Sequence, residues 1–175
     1  GTSYAINNSF ASGGTTAITN SGVITKNATG NITSTGAFST TGDVNLAANI
    51  TTTDTNLTIG GNLVIAEAAT PTLSTGAGTA GNVTVTGTTN GTAGGVAETL
   101  TVQAGTGTVT FTGNVGNNTD ALELEALTLT NAAATTFSGT LMPPEVLRAM
   151  EEASHNFVPI HELQQKVGAR IAELC

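Results

Sequence analysis

One short phrase recurs along this chain at a nearly fixed interval. Gly81–Gly87 reads GNVTVTG, and it returns at Gly107–Gly113 as GTVTFTG, a step of 26. The same step backward lays Leu57-Thr58-Ile59-Gly60-Gly61 on Val83–Gly87. Gly30–Gly36, GNITSTG, continues the series backward at a step of 25, and Thr135–Gly139 carries the aromatic and the closing glycine forward. A period of this length marks an architecture in which each repeat is one structural unit stacked on the next. Such a repeat constrains the fold strongly and the chemistry weakly.

Within the repeat, apolar residues stand two apart. Val44 and Leu46, Leu57 and Ile59, Leu63 and Ile65, Val83 and Val85, Leu100 and Val102, Val109 and Phe111, and Leu127 and Leu129 all follow this spacing, with threonine commonly between. Period-two spacing puts each pair on one face of a strand and the threonine on the other. Gly-Asn, Gly-Thr, Asn-Gly and Gly-Gly steps between the pairs supply turns. Glu98-Thr99-Leu100-Thr101-Val102 reappears at a step of 27 as Glu125-Ala126-Leu127-Thr128-Leu129, so one repeat holds at least two short strands.

Two all-β architectures fit. A β-sandwich uses strands of this length, but nothing in it requires a fixed repeat. A right-handed parallel β-solenoid makes each repeat of about 26 residues one coil, with equivalent strands stacked about 4.8 Å apart. It predicts a column of Leu57, Val83 and Val109, and a second of Ile59, Val85, Phe111 and Phe137. The recurrence of one residue type at one register favours the solenoid.

The chain divides by composition near residue 140. Residues 1–140 contain one basic residue, Lys26, against seven acids, and one proline, Pro71. Residues 141–175 contain Arg148, Lys166, Arg170, both histidines, both methionines, the lone Cys175, three prolines and five glutamates. That shift predicts a repeat domain at 1–140 and a separate tail of different origin. The whole chain carries a formal charge of −8 with only four Lys or Arg. Nucleic-acid binding draws its affinity from cationic contacts to phosphate, so it is not expected. No apolar run approaches a membrane span, and no signal peptide is visible.

The segments GNVTVTGTTNG, ETLTVQAGTGTVTFTGNVG and LEALTLTNAAATTFSG resemble the low-charge Thr/Gly/Asn-rich repeats of bacterial filamentous-haemagglutinin-like adhesins and autotransporter passenger regions. The resemblance covers most of residues 20–140. It implies a β-helical stalk or adhesive segment at the cell surface or outside the cell, and it names no receptor.

In the tail, Pro143-Pro144 and Glu145 suit a helix start. Val146, Leu147, Met150 and Ala153 give an apolar stripe, and Leu163, Val167, Ile171 and Leu174 give another. Two short helices capping the last coil are therefore predicted. LMPPEVLRAMEEASHNFVPIHELQQKVGARIAELC resembles the N-terminal segment of selenocysteine-synthase-like, pyridoxal-phosphate-dependent enzymes, whose catalytic lysine lies in a domain beyond that segment. Lys166 is not at a matching position, so the resemblance carries over no catalytic role and no cofactor.

Candidate chemistry is sparse. His155 and His161 lack partners at metal-site spacing. Asp120, Glu123 and Glu125 cluster beside a strand, but the glycine-aspartate nonapeptide of calcium-binding β-rolls is absent. Gly60-Gly61 and Gly94-Gly95 lack the lysine and helix start of a phosphate loop. Serines in the body have no histidine to activate them. Eight Asn-x-Ser/Thr sequons begin at Asn7, Asn27, Asn31, Asn49, Asn56, Asn82, Asn90 and Asn117. No catalytic, cofactor-binding or metal-binding residue is assigned. The expectation is a non-enzymatic adhesive or structural segment, with surface glycans, or the chain itself in end-to-end or lateral assembly, as partner. The alternatives are a self-assembling subunit of an extracellular filament or sheath, and a dimerising fragment of a pyridoxal-phosphate enzyme.

Overall fold

Runs of inward aliphatic, outward threonine and inward aliphatic fold as strands of mostly three residues, and every pairing between strands is parallel. A computed structural model of the chain describes residues 3–78, 81–92, 97–116 and 124–137, all within the unit Gly1–Thr140. The helices expected in the tail lie outside the described residues.

The chain winds through three sheets in turn. The first coil holds β1 (Tyr4–Ile6), β2 (Phe10–Ser12) and β3 (Thr16–Ile18). The second holds β4 (Ile24–Lys26), β5 (Ile32–Ser34) and β6 (Phe38–Thr40), and the third β7 (Val44–Leu46), β8 (Ile50–Thr52) and β9 (Leu57–Ile59). Next come β10 (Leu63–Ile65), β11 (Thr72–Ser74) and β12 (Val83–Val85), then β13 (Thr89–Asn90), β14 (Thr99–Gln103) and β15 (Thr108–Phe111). The last described strands are β16 (Ala126–Thr130) and β17 (Ala134–Phe137). Every third strand stacks as far as β15, and β16 and β17 then add to β14 and β15, giving β1-β4-β7-β10-β13 as sheet A, β2-β5-β8-β11-β14-β16 as sheet B and β3-β6-β9-β12-β15-β17 as sheet C. This is a β-solenoid, with three strands per full coil and no sandwich.

The predicted columns form. Leu57, Val83 and Val109 are in register, as are Ile59, Val85, Phe111 and Phe137. All but Phe137 are fully buried. Phe137 is 45% exposed, yet its ring stacks on Phe111 at 5.4 Å and 7°. Leu100 and Val102 pair with Leu127 and Leu129, as their echo in the sequence predicts. These columns join Ile24, Ile32, Phe38, Leu46, Ile50, Leu63, Ile65 and Leu73 in one apolar core. Burying side chains of this size stabilises by roughly 1.5–3 kcal/mol each.

Coil length corrects one part of the sequence reading. In sheet C the register pairs Leu57 with Val83, Val83 with Val109 and Val109 with Thr135, a constant step. Before Leu57 the pairs are Thr16 with Phe38 and Phe38 with Leu57, and both steps are shorter. Sheet A likewise advances by short steps, Tyr4 to Ile24 to Val44 to Leu63, before the longer one from Leu63 to Thr89. Shorter corners in the early coils account for the difference. The register Ile32↔Ile50 therefore puts GNITSTG in sheet B, while Leu57 pairs with Phe38 in sheet C. Asn, aliphatic, Thr in sequence is the form of any strand entry here, so the phrase does not say which sheet it enters.

The corners are held by side chains. Inward Ser34, Thr52 and Thr75 donate to the carbonyls of Gly14 (2.7 Å), Thr55 (2.5 Å) and Gly81 (2.7 Å). These bonds satisfy hydroxyls that would otherwise be buried without partners.

Candidate functional surface

The residue just before a strand repeatedly points its side-chain oxygen at the backbone of the next coil. At the entry to sheet C, Asn56 Oδ1 accepts from Asn82 N (3.0 Å) and Asn82 Oδ1 from Thr108 N (2.9 Å). At sheet B, Asn31 Oδ1 accepts from Asn49 N (3.2 Å) and Asn49 Oδ1 from Thr72 N (2.8 Å). At sheet A, Asp43 Oδ1 accepts from Asn62 N (2.7 Å) and Asn62 Oδ1 from Thr88 N (2.9 Å). Each bond ties one coil to the next and fixes register at a corner. Four of the eight sequons, at Asn31, Asn49, Asn56 and Asn82, are these strand entries: ladder asparagine, inward aliphatic, outward threonine. Asn7 and Asn27 instead occupy a corner, with Asn27 Nδ2 3.4 Å from Asn7 Oδ1. Asn117 lies outside the described residues.

Lys26 is the unexpected inward residue. The register Ile6↔Lys26↔Leu46 places it in an apolar column, and it is 1% exposed. Its stem fills the column, and its Nζ donates to the carbonyls of Asn27 and Thr29, both at 2.8 Å, and to Asn27 Oδ1 at 3.4 Å. None of these partners is a carboxylate. Burial pushes the ammonium below its ordinary value of 10.5, because desolvation disfavours the charged form.

The folded chain then holds fewer protons at this site than the unfolded chain between the lowered value and 10.5. Stability contributed here rises with pH through that window and is fully regained above it. Lys26→Met is expected to fold, to change stability by no more than about 1 kcal/mol or to raise it, and to lose that alkaline rise. Urea unfolding of both proteins at several alkaline pH values measures the difference.

Among the described residues the other ionisable groups do not converge. Glu98 is buried and its Oε1 accepts from Thr92 Oγ1 (2.5 Å) and Thr92 N (3.3 Å), whereas its echo Glu125 is exposed. Gly60 and Gly61 serve a turn against the preceding coil, with Gly60 N donating to Thr40 O at 2.9 Å. Among the described residues no three His, Cys, Asp or Glu side chains gather as metal ligands. Asp120, Glu123, Gly94-Gly95, His155, His161, Lys166 and Cys175 lie outside the described residues. No described helix is long and apolar enough to cross a membrane.

What remains are the outward faces. The middle residues of sheet C make one column, Ala17, Ser39, Thr58, Thr84, Thr110 and Thr136. Ser39, Thr58, Thr84 and Thr110 are half-buried and Thr136 exposed. Their hydroxyls recur about 4.8 Å apart along the stack, and among the described residues none of them makes a side-chain hydrogen bond. Sheet B carries a shallow groove of about 400 Å³ lined by Ala11, Ser12, Gly13, Thr33, Ser34, Thr35, Thr51 and Thr53. Its hydroxyls and small side chains offer hydrogen bonds and no acid–base group.

The Asn ladders and the burial of Lys26 went unread in the sequence. The ladder's signal was present, as Asn or Asp standing immediately before an inward aliphatic. Lys26 had a weaker one, the register position it shares with Leu46. No family model, no curated protein and no solved structure matches this chain.

Proposed function

We propose that the chain is a non-catalytic structural and adhesive β-solenoid segment of a bacterial cell-surface or secreted protein, making weak repeated contacts with surface glycans. The observation that carries this reading is the outward column Ser39–Thr58–Thr84–Thr110–Thr136, which repeats one outward hydroxyl per coil on a parallel sheet. A polymer of repeating hydroxyl groups meets such a face as many small contacts of the same kind, and their sum gives adhesion without a deep pocket. Low charge and the sequence resemblance to adhesin repeats support the same reading.

Retention of the chain on immobilised bacterial and host polysaccharides tests it. The triple replacement of Thr58, Thr84 and Thr110 by valine keeps shape and strand preference but removes three hydroxyls. It is expected to weaken retention about tenfold or more while the far-ultraviolet spectrum stays unchanged. Equal retention of the native and valine chains, or no retention of either, contradicts the proposal.

A further inference from the structure

The outward column of sheet C has a second column beside it. The ladder of this sheet runs past the strand ends: Gly60 N donates to Thr40 O, Thr86 N to Ile59 O and Thr112 N to Val85 O, each at 2.9 Å, and Thr41 N to Ile18 O at 3.1 Å. Thr41, Gly60, Thr86 and Thr112 are therefore in register with one another. Each stands two residues beyond its partner in the first column, on the same outward face. Thr41, Thr86 and Thr112 are exposed, and Gly60 leaves one gap.

Two residues of a parallel strand span about 6.6 Å, and successive coils are about 4.8 Å apart. Between the columns Thr40, Ile59, Val85 and Phe111 turn inward and are buried. The face is thus a trough that runs along the stack, floored by backbone and banked by hydroxyls and methyls. Thr58, Thr84, Thr86 and Thr110 make no side-chain hydrogen bond among the described residues. Thr112 Oγ1 donates to Val85 O (3.1 Å) and keeps its capacity to accept. This part of the trough lies on β9, β12 and β15, with β6 stacked on one side and β17 on the other.

Charge and shape both restrict what fits. Neither bank carries an ionisable residue, and the single described Lys or Arg, Lys26, is buried. An acidic polymer finds no cation there and meets a chain of net charge −8. A pyranose linked through equatorial bonds at carbons 1 and 4 extends its chain straight, by nearly the height of one coil per ring. Axial 1,4 linkages curl the chain and 1,6 linkages add a flexible joint, so neither keeps step with the banks.

We propose that the trough takes a single uncharged, unbranched β-1,4-linked polysaccharide chain, lying along the stack with one sugar ring per coil. The proposal rests on the reading that sheet C binds glycans, and adds to it a linkage, a charge and a direction. Each ring exchanges hydrogen bonds with one hydroxyl on either bank, Thr84 and Thr86 in one coil and Thr110 and Thr112 in the next. The threonine methyls lie against its C–H groups. Many weak contacts of one kind then add along the chain.

Retention of the full chain on cellulose is compared with retention on dextran, amylose and polygalacturonate. Cellulose is expected to retain it at least about tenfold more strongly than the other three, and soluble β-1,4-glucan oligomers to compete better as they lengthen. The double variant Thr86→Val, Thr112→Val touches only the second bank. It is expected to weaken retention on cellulose about tenfold with an unchanged circular dichroism spectrum, whereas Thr25→Val on the outer face of sheet A leaves retention as it was. Retention on cellulose that is indifferent to the double variant overturns the proposal. So does retention on dextran, amylose or polygalacturonate equal to or above that on cellulose, a result that leaves the broader glycan reading standing. Retention on none of the four overturns the proposal together with that reading.

Discussion

Val85→Asp is expected to abolish folding, while Thr84→Asp leaves the chain folded. The two positions are adjacent in β12 and differ only in the face they occupy. Val85 is fully buried between Ile59 and Phe111, and no basic group stands in its column. An unpaired carboxylate there costs several kcal/mol in desolvation, or is held neutral at a comparable cost. That is a large share of the roughly 5–15 kcal/mol by which domains are stable. Thr84 is half-exposed between Thr58 and Thr110 on the outer face, so aspartate stays hydrated and changes stability by about 0.5 kcal/mol. Circular dichroism and urea unfolding of the two variants measure the contrast. A folded Val85→Asp chain would mean that the face assignment is wrong.

Gly107→Val is expected to be the next most damaging change. Gly107 is buried at the corner that leads into β15. A Cβ added there would stand 2.6 Å from the Gly81 carbonyl carbon and 2.9 Å from Ala104 O. Both neighbours are backbone, which cannot swing aside as a side chain would. Gly81 is packed the same way one coil earlier, where a Cβ would lie 2.5 Å from Thr55 O. Even alanine at 107 would force the coils apart, at about 1–3 kcal/mol, and the branched valine costs more. Gly13→Ala is the control: nothing lies within 4 Å of its added Cβ, so the change stays within about 0.5 kcal/mol. Thermal unfolding of the three variants ranks them, and equal midpoints for Gly107→Val and Gly13→Ala would show that the corner is not close-packed.

These effects rest on features that were partly legible in the sequence. The inward columns of sheet C followed directly from the constant step, because Leu57, Val83 and Val109 sit in coils of equal length. Sheet B of the early coils did not follow, since Ile32 pairs with Ile50 across a much shorter coil and no fixed period finds them. Strand spacing is held by the hydrogen-bonded stack, whereas corner length is free to vary. A period search therefore sees only coils whose corners happen to match. The Asn ladders escaped for a different reason. Asn56 and Asn82 matched the sequon pattern, and their bonds run between coils to a partner that composition does not reveal. Lys26 escaped because a buried cation is a local exception to the alternation, satisfied by corner carbonyls whose orientation only the backbone shows.

The outward hydroxyl column was anticipated as a class of surface, with no particular face assigned. The register selects sheet C, where each described coil from the second onward contributes Ser or Thr. Chemistry beyond that face depends on what touches it, which the glycan-retention measurement reads directly.

The parallel one-coil register underlies the core columns, the Asn ladders and the outward face alike, and disulfide trapping tests it most directly. With Cys175 replaced by serine, paired cysteines at Thr84 and Thr110 fall on facing residues of adjacent strands, about 4.8 Å apart and within disulfide reach. Cysteines at Thr58 and Thr110 stand two coils apart and out of reach. Rapid intramolecular oxidation of the first pair and none of the second is the predicted result. Oxidation of the Thr58–Thr110 pair in preference to Thr84–Thr110 would contradict the stacked solenoid.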